Sequence, residues 1–324
     1  MTAFPNRNDL TIQFAHVAYP LEEEFAKRDT GLANFQTWSR EDTLARIPDA
    51  HVLVISGFWD NALLDVASNL RFIQSIGAGY DQFPLDDLKA RGIRLASAQG
   101  VNKNGVSEHA MSLVLALARK LHDARDNQRK HFWRQMISDI PAREDELGGK
   151  TMGIIGMGQI GSRVARLAKA FDMRVIATKR DTSTYEGPAD EVMPPSEVGR
   201  LFAESDWVVL NCPLTDETRG IVNAAAFDAM KPSAYLINVA RGACVDETAL
   251  IDALTNGKIA GAGLDHFLDD PLPPDSPIWD LDNAIITPHT GGETQQYEAN
   301  LLNTLLENVG RLDSGRDDLV NQIV

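Results

Sequence analysis

Along the first hundred residues, short apolar and β-branched runs alternate with amphipathic stretches of helix length. The runs 11–17 (TIQFAHV), 51–56 (HVLVIS), 71–77 (RFIQSIG) and 93–98 (IRLASA) predict strands, and NALLDVASNL and LDDLKARG between them predict helices. Such alternation predicts a parallel sheet with helices on both faces. Residues 105–130 predict one long helix. Its first half is nearly all apolar and is expected to be buried, with a partner subunit as one candidate for the cover. A second alternating series starts near Lys150, with strands predicted at 151–157, 174–179, 207–212, 234–240, 261–267 and 284–290. These strands are apolar enough for a sheet covered on both sides. The 268–283 link, rich in Pro and Asp, reads as loop. After Gly292 the pattern turns helical again, and the tail DSGRDDLVNQIV is expected to be loosely held. There is no internal repeat and no low-complexity segment.

Composition narrows this picture. A chain of 324 residues with 44% hydrophobic residues can hold two domains, each with its own core. The formal net charge of −15 argues against nucleic acid and against an anionic membrane surface as partners. An anionic substrate then needs a local basic pocket working against the global field. Cys212 and Cys244 have neither CxxC nor zinc spacing, so two reduced, buried thiols are expected and no metal site. The N-terminus has no apolar stretch like a signal peptide, and the run 111–118 is too short for a bilayer, so a cytoplasmic protein is expected.

The segment GIIGMGQIG ends one predicted strand and opens a helix. Its glycines, Gly156, Gly158 and Gly161, have the GxGxxG spacing. The first suits a tight turn, the second a close approach to a pyrophosphate, and the third close packing of helix on strand. The phosphate then meets the free N–H groups of a helix N-terminus. An NAD-specific site would carry Asp or Glu about 20 residues on, at the end of the next strand. Here Lys179 and Arg180 occupy that place. Cations there favour a 2′-phosphate, which predicts NADP(H) in preference to NAD.

Further motifs follow in order: IGAGYDQF (76–83), GVNKNGVSEH (100–109), LGGKTMGIIGMGQIG (147–161), NCPLTDETRG (211–220), INVARGACVDETAL (237–250), GAGLDHFLDDPLP (261–273) and ITPHTGG (286–292). On these motifs the chain resembles the NAD(P)-dependent D-2-hydroxyacid dehydrogenases, nearest to the glyoxylate/hydroxypyruvate reductase-like members. The resemblance implies an α/β protein of two doubly wound parallel sheets, with a Rossmann nucleotide domain (102–291) inserted in a flavodoxin-like substrate domain (1–101 and 292–324). It implies a homodimer and hydride transfer between NADP(H) and a small 2-oxo or 2-hydroxy acid of D configuration.

The same resemblance implies the site. The Arg of the ARG motif falls on Arg241 and would bind the substrate carboxylate and carbonyl oxygen, for which a planar guanidinium is suited. The structural alternative is a pair with Asp246. The His of the TPH motif falls on His289, the acid/base, whose pKa range suits both directions. The family's Glu falls on Asp270, one methylene shorter by roughly 1.5 Å. A closer loop, a bridging water or neighbouring Asp269 could make up the difference. Backbone N–H groups of Gly77, Ala78 and Gly79 are expected at the substrate carboxylate, the alternative being a plain βα turn. Cofactor contacts are expected from Gln159 and Ile160 in the glycine motif and from Cys212, Pro213 and Thr218 after the 207–212 strand. Val239 and Ala240, and then Asp265 and Gly291, complete that set. Phe58 and Trp59 are candidates for the substrate pocket or for the core. His266 stands where a small apolar residue is expected, and the sequence gives no account of it beyond a polar strand end. A formate- or phosphite-type dehydrogenase, or a redox sensor that keeps the fold with little turnover, are the competing readings.

Overall fold

The computed structural model describes residues 4–183 and 185–324. Chain contacts divide it into two units, Met1–Asn102 with Thr294–Val324, and Lys103–Glu293.

The first unit contains β1 (Thr11–Ala15), β2 (Ala33–Thr37), β3 (Val52–Ile55), β4 (Phe72–Ser75) and β5 (Arg94–Ala96), all parallel, in the order β2-β1-β3-β4-β5. This is the flavodoxin-like order. Successive residues of a strand point to opposite faces, and β3 shows the consequence. Val52 and Val54 join one buried cluster, with Phe14 and with Leu301 and Leu305 of the helix Tyr297–Asp313. Leu53 and Ile55 join another, with Trp59, Ile73 and Leu88. Both faces are dry, so an all-apolar strand is what the sheet requires.

The second unit contains β6 (Thr151–Ile155), β7 (Arg174–Thr178), β8 (Glu191–Met193), β9 (Trp207–Leu210), β10 (Tyr235–Asn238), β11 (Gly261–Leu264) and β12 (Ala284–Ile286). They form one parallel sheet in the order β12-β11-β10-β9-β6-β7-β8. Read from β8, this is the Rossmann order with a seventh strand added. The strand order reverses between β6 and β9. Ligands of such sheets bind beyond the carboxyl ends of the strands at that point.

Three features differ from the sequence expectation. Two strands, β2 and β8, went unpredicted; both are partly exposed sheet edges, β2 mostly polar (ANFQT) and β8 only three residues long (EVM), so neither makes a sustained apolar run. The expected single helix 105–130 is two, Lys103–Ala118 and Leu121–Arg129, separated where Lys120 turns left-handed with φ 49°. The Lys120 ammonium donates to the carbonyl of Ala142 at 2.8 Å, which helps hold this break. Much of the apolar half is buried within its own unit, where Ala110, Leu113 and Val114 share a core with Val164, Ala165 and Ala168. The tail is not loose. Ile323 N–H donates to Leu95 carbonyl at 2.8 Å and Ser97 N–H to Asn321 carbonyl at 3.0 Å, so the chain end covers the open edge of β5. No helix among the described residues is long and apolar enough to cross a membrane.

Candidate active site

The glycine turn follows β6 at the switch point. Gly156 has φ 100°, a conformation that L side chains rarely adopt, and a Cβ there would lie 2.7 Å from the backbone nitrogen of Cys212. A Cβ on Gly161 would lie 2.2 Å from the Gly156 carbonyl oxygen. These two glycines allow the turn and let the helix Gln159–Ala170 start directly on the strand. Gly158 is different: it is the N-cap of that helix, with no side-chain cap, and nothing lies within 4 Å of a Cβ there. The helix N-terminus is thus open, with Gln159 exposed and Ile160 partly buried beside it. Just past β9, the amide nitrogen and oxygen of Asn211 are buried without a hydrogen-bond partner among the described residues. Unpaired polar atoms beside an open helix N-terminus fit a dinucleotide, whose phosphates and sugars would satisfy them.

The loop after β9 is internally braced. The Thr218 hydroxyl donates to the Pro213 carbonyl at 2.6 Å and accepts from Thr215 N–H at 2.8 Å. Cys212 and Cys244 are both buried and free, and the Cys212 thiol is pushed up by its contact with Cys244 and by burial. Val239 and Ala240, just past β10, are buried. At the end of β7, Lys179 donates to the Asp181 carbonyl at 2.9 Å, while Arg180 is exposed with no ion pair among the described residues. The Asp181 carboxylate, the nearest acid along the chain, accepts from the Ser183 hydroxyl at 2.6 Å and from its N–H at 3.0 Å.

Arg241 lies just after β10, and its guanidinium donates to the Ala240 carbonyl at 2.7 Å. Asp246 does not pair with it. That carboxylate caps the helix Glu247–Thr255, accepting from Ala249 N–H at 3.0 Å. Among the described residues no carboxylate lies within salt-bridge distance of Arg241. A cation left unpaired in a protein of net charge −15 is a ready partner for an external carboxylate.

His289 follows β12 and has φ 56°, a left-handed conformation uncommon outside glycine. Its Nδ1 donates to Asp270 Oδ2 at 2.5 Å, with both side chains about half exposed (49% and 45%). The shorter Asp therefore reaches the imidazole directly. The loop that holds His289 is anchored by Asp265, only 2% exposed. Asp265 accepts from the Thr287 hydroxyl at 2.6 Å and from the N–H groups of Thr290 and Gly291, each at 3.0 Å. Burial opposes its ionisation, but the hydrogen bonds from His109, Thr287 and Gly291 prevail and hold its pKa down at about 2. A side chain at Gly291 would crowd this anchor, since a Cβ would lie 2.8 Å from Asp265 Oδ2. His266 packs on His289. The trio His266, Asp270 and His289 places one possible metal-ligand atom each within 4.8 Å, but Asp270 and His289 Nδ1 are already bonded to each other.

In the first unit, the turn after β4 offers its donors. The carbonyl of Gly77 accepts from Ser75 Oγ at 3.0 Å and from Ala98 N–H at 3.0 Å, and among the described residues the N–H groups of Gly77, Ala78 and Gly79 donate to no protein group. Trp59 is core, 8% exposed and 4.8 Å from the Phe83 ring centroid; Phe58 is partly buried. The sequence reading missed Asn211 and His109. Asn211 is a polar residue directly after the apolar run WVVL, which was a usable signal. His109 Nε2 meets the Thr287 hydroxyl at 2.9 Å across 178 residues of chain, which no local pattern announces.

A parallel sheet with an open glycine turn at its switch point, and a carboxylate-bound imidazole in the same unit as an unpaired arginine, define an NAD(P)-binding oxidoreductase. The chain belongs to the D-isomer specific 2-hydroxyacid dehydrogenase family, whose NAD-binding domain model matches residues 111–291, more than half of it. It is 37% identical to glyoxylate reductase of Pyrococcus furiosus, over 85% of this chain and 82% of that one. It is 33% identical to D-3-phosphoglycerate dehydrogenase of Archaeoglobus fulgidus, over 92% of this chain but only 57% of that longer protein. The crystal structure of an NADPH-dependent glyoxylate/hydroxypyruvate reductase from Sinorhizobium meliloti, in complex with NADP and malonate, superposes with a TM-score of 0.82 at 27% identity, covering 98% of this chain and 97% of that one.

Proposed function

We propose that the protein uses NADPH to reduce a small 2-oxo acid, of the glyoxylate or hydroxypyruvate kind, to the D-2-hydroxy acid. The observation that carries this reading is the direct bond from His289 to Asp270, in the unit that also holds the unpaired Arg241. When bound, the cofactor supplies the hydride from its nicotinamide. Arg241 takes the substrate carboxylate and polarises the carbonyl oxygen. The Asp270 carboxylate fixes the His289 tautomer with the proton on Nδ1. That leaves Nε2 to give a proton to the carbonyl oxygen in reduction and to take it back in oxidation. The N–H groups of Gly77, Ala78 and Gly79 are further donors to the substrate carboxylate. Gly156, Gly158 and Gly161, with Asn211, receive the dinucleotide, and Lys179 and Arg180 select its 2′-phosphate. The names of the Pyrococcus and Sinorhizobium relatives support the substrate class, and the latter supports NADP. Exposed Phe132, Trp133, Met136 and Ile140, all within ten residues, support a homodimer that covers them.

The test is a panel of 2-oxo acids, with formate and phosphite in the oxidative direction, each assayed with both cofactors by absorbance. The expected result is reduction of glyoxylate or hydroxypyruvate with kcat/KM at least about tenfold higher for NADPH than NADH, roughly 1.4 kcal/mol. Turnover of formate or phosphite alone, or equal turnover with NADH, refutes the respective part. No turnover of any acid by a protein that still binds NADPH leaves the redox-sensor reading.

A further inference from the structure

His266 has no task in the reaction proposed above. It follows Asp265 just past the end of β11 and is 8% exposed, so it is a buried imidazole in a strand-end position that an aliphatic side chain could fill. Its Nε2 lies 3.9 Å from Asp265 Oδ2, outside hydrogen-bonding distance, and among the described residues no group hydrogen-bonds its ring. Its principal neighbour is the ring of His289, with centroids 3.9 Å apart and planes tilted by 57°.

His289 therefore has two supports of different kinds. Asp270 holds one edge through Nδ1 at 2.5 Å, and His266 stands against the ring itself. A side chain that is 49% exposed and fixed by one hydrogen bond keeps freedom to swing about that bond. A packed neighbour removes that freedom, and catalytic groups need to be held within about 0.5 Å of their working position. Burial, with the nearby charges of His289 and Arg241, keeps the His266 pKa down at about 3. The supporting ring is thus uncharged when His289 carries its proton, and the two do not repel.

We propose that His266 is a positioning residue whose ring braces the His289 imidazole against Asp270, so that the side-chain sizes at 266 and 270 are matched to each other. This rests on the reading of His289 as the proton donor. The match has a mechanical consequence. Replacing His266 by Val opens space on one side of the imidazole. Replacing Asp270 by Glu adds a methylene, about 1.5 Å, to a cluster in which the carboxylate and both rings already place atoms within 4.8 Å of one another, and so crowds the two imidazoles. Each change alone misplaces Nε2, and the two together offset each other.

The experiment compares wild type, His266→Val, Asp270→Glu and the double variant, reading kcat and KM for the oxo acid and the NADPH dissociation constant. Each single change is expected to lower kcat about tenfold while KM and NADPH affinity stay within about twofold, and the double variant to recover to within about threefold of wild type. Independent losses, about a hundredfold in the double variant, overturn the proposal. The proton on His289 Nδ1 gives a second readout that needs no turnover, because a short bond to a carboxylate shifts its NMR resonance far downfield. That resonance is expected to broaden in His266→Val and to sharpen again in the double variant; an unchanged resonance in His266→Val overturns the brace. If wild type reduces no 2-oxo acid, the proposed reaction fails and the resonance alone decides on the brace. Thermal unfolding of each variant checks folding, and should His266→Val not fold, His266→Leu, which lacks the ring but is closer in volume, carries the same expectations.

Discussion

Two βα turns of this protein carry closely spaced glycines, and they obey different constraints. After β6, Gly156 has a left-handed backbone and its missing Cβ would sit 2.7 Å from Cys212 nitrogen, while that of Gly161 would sit 2.2 Å from a carbonyl oxygen. Packing alone demands those glycines. After β4, Gly77 has no positive φ, and the nearest atom to a Cβ there is Ser56 Oγ at 3.6 Å, an ordinary contact. Folding would accept alanine at Gly77, so what glycine gives there is bare backbone for a ligand to approach. Gly158 belongs to the second kind although it lies inside the first motif, since nothing surrounds it. Glycines of the two kinds look the same in sequence. Only the atoms around the absent side chain tell them apart.

Gly156→Ala is the strongest way to break this comparison. It combines an unfavourable φ with a backbone clash, and the expected cost is about 3 kcal/mol or more, read by urea unfolding, together with loss of NADPH binding. Stability near wild type would show that the turn tolerates a side chain and that the distinction is false. Gly291→Ala comes next. The new Cβ strikes Asp265 and breaks its bond from Gly291 N–H, at an expected cost of about 1–3 kcal/mol. The pH dependence sharpens the assignment. Asp265 has a folded pKa of about 2 against an ordinary 3.8, so its stabilisation is fully present above about 4 and is lost as pH falls through 2. The difference between Gly291→Ala and wild type should shrink over that window; a constant difference would mean that the loop is not anchored through the Asp265 charge.

How much of this was readable beforehand follows the same division. The ten other strands, most of them buried, announced themselves as apolar runs, because a covered parallel sheet admits little else. The edge β2 did not, since a half-exposed strand can be polar, and the edge β8 did not because three residues make no run. The break at Lys120 depends on a backbone conformation that its neighbours in sequence do not dictate. Arg241, Asp270 and His289 were named from motif resemblance, and their placement in one unit is consistent with a shared task. That Asp270 reaches His289 without help was open in the sequence, where a closer loop, a bridging water or neighbouring Asp269 could each have made up the shorter side chain. His109, Asn211 and the contact of His266 with His289 became visible only with the fold, because each acquires its meaning from a neighbour distant in the chain.

Gly158→Ala tests the open kind of glycine at the cofactor. With no atom within 4 Å of the added methyl, stability should stay within about 0.5 kcal/mol of wild type. NADPH affinity should nevertheless fall about tenfold, read by calorimetry, because the methyl occupies the space through which a pyrophosphate reaches the helix N-terminus. Unchanged affinity would remove Gly158 from the binding site.

The smallest effect, and the most discriminating, is expected from Gly77→Ala. Ser56 Oγ at 3.6 Å leaves room for the methyl, and the backbone needs no change, so thermal unfolding should match wild type within about 0.5 kcal/mol. Alanine also stiffens the unfolded chain, which works in the stabilising direction. What the methyl disturbs is access to the N–H groups of Gly77, Ala78 and Gly79, which donate to no protein group among the described residues. If they receive the substrate carboxylate, KM for the oxo acid should rise about three- to tenfold with kcat and NADPH affinity little changed, the pattern of lost binding that is uniform between ground and transition state. A drop in stability instead, with KM unchanged, would make this an ordinary βα turn, and Gly77 would join Gly156 as a glycine required by packing.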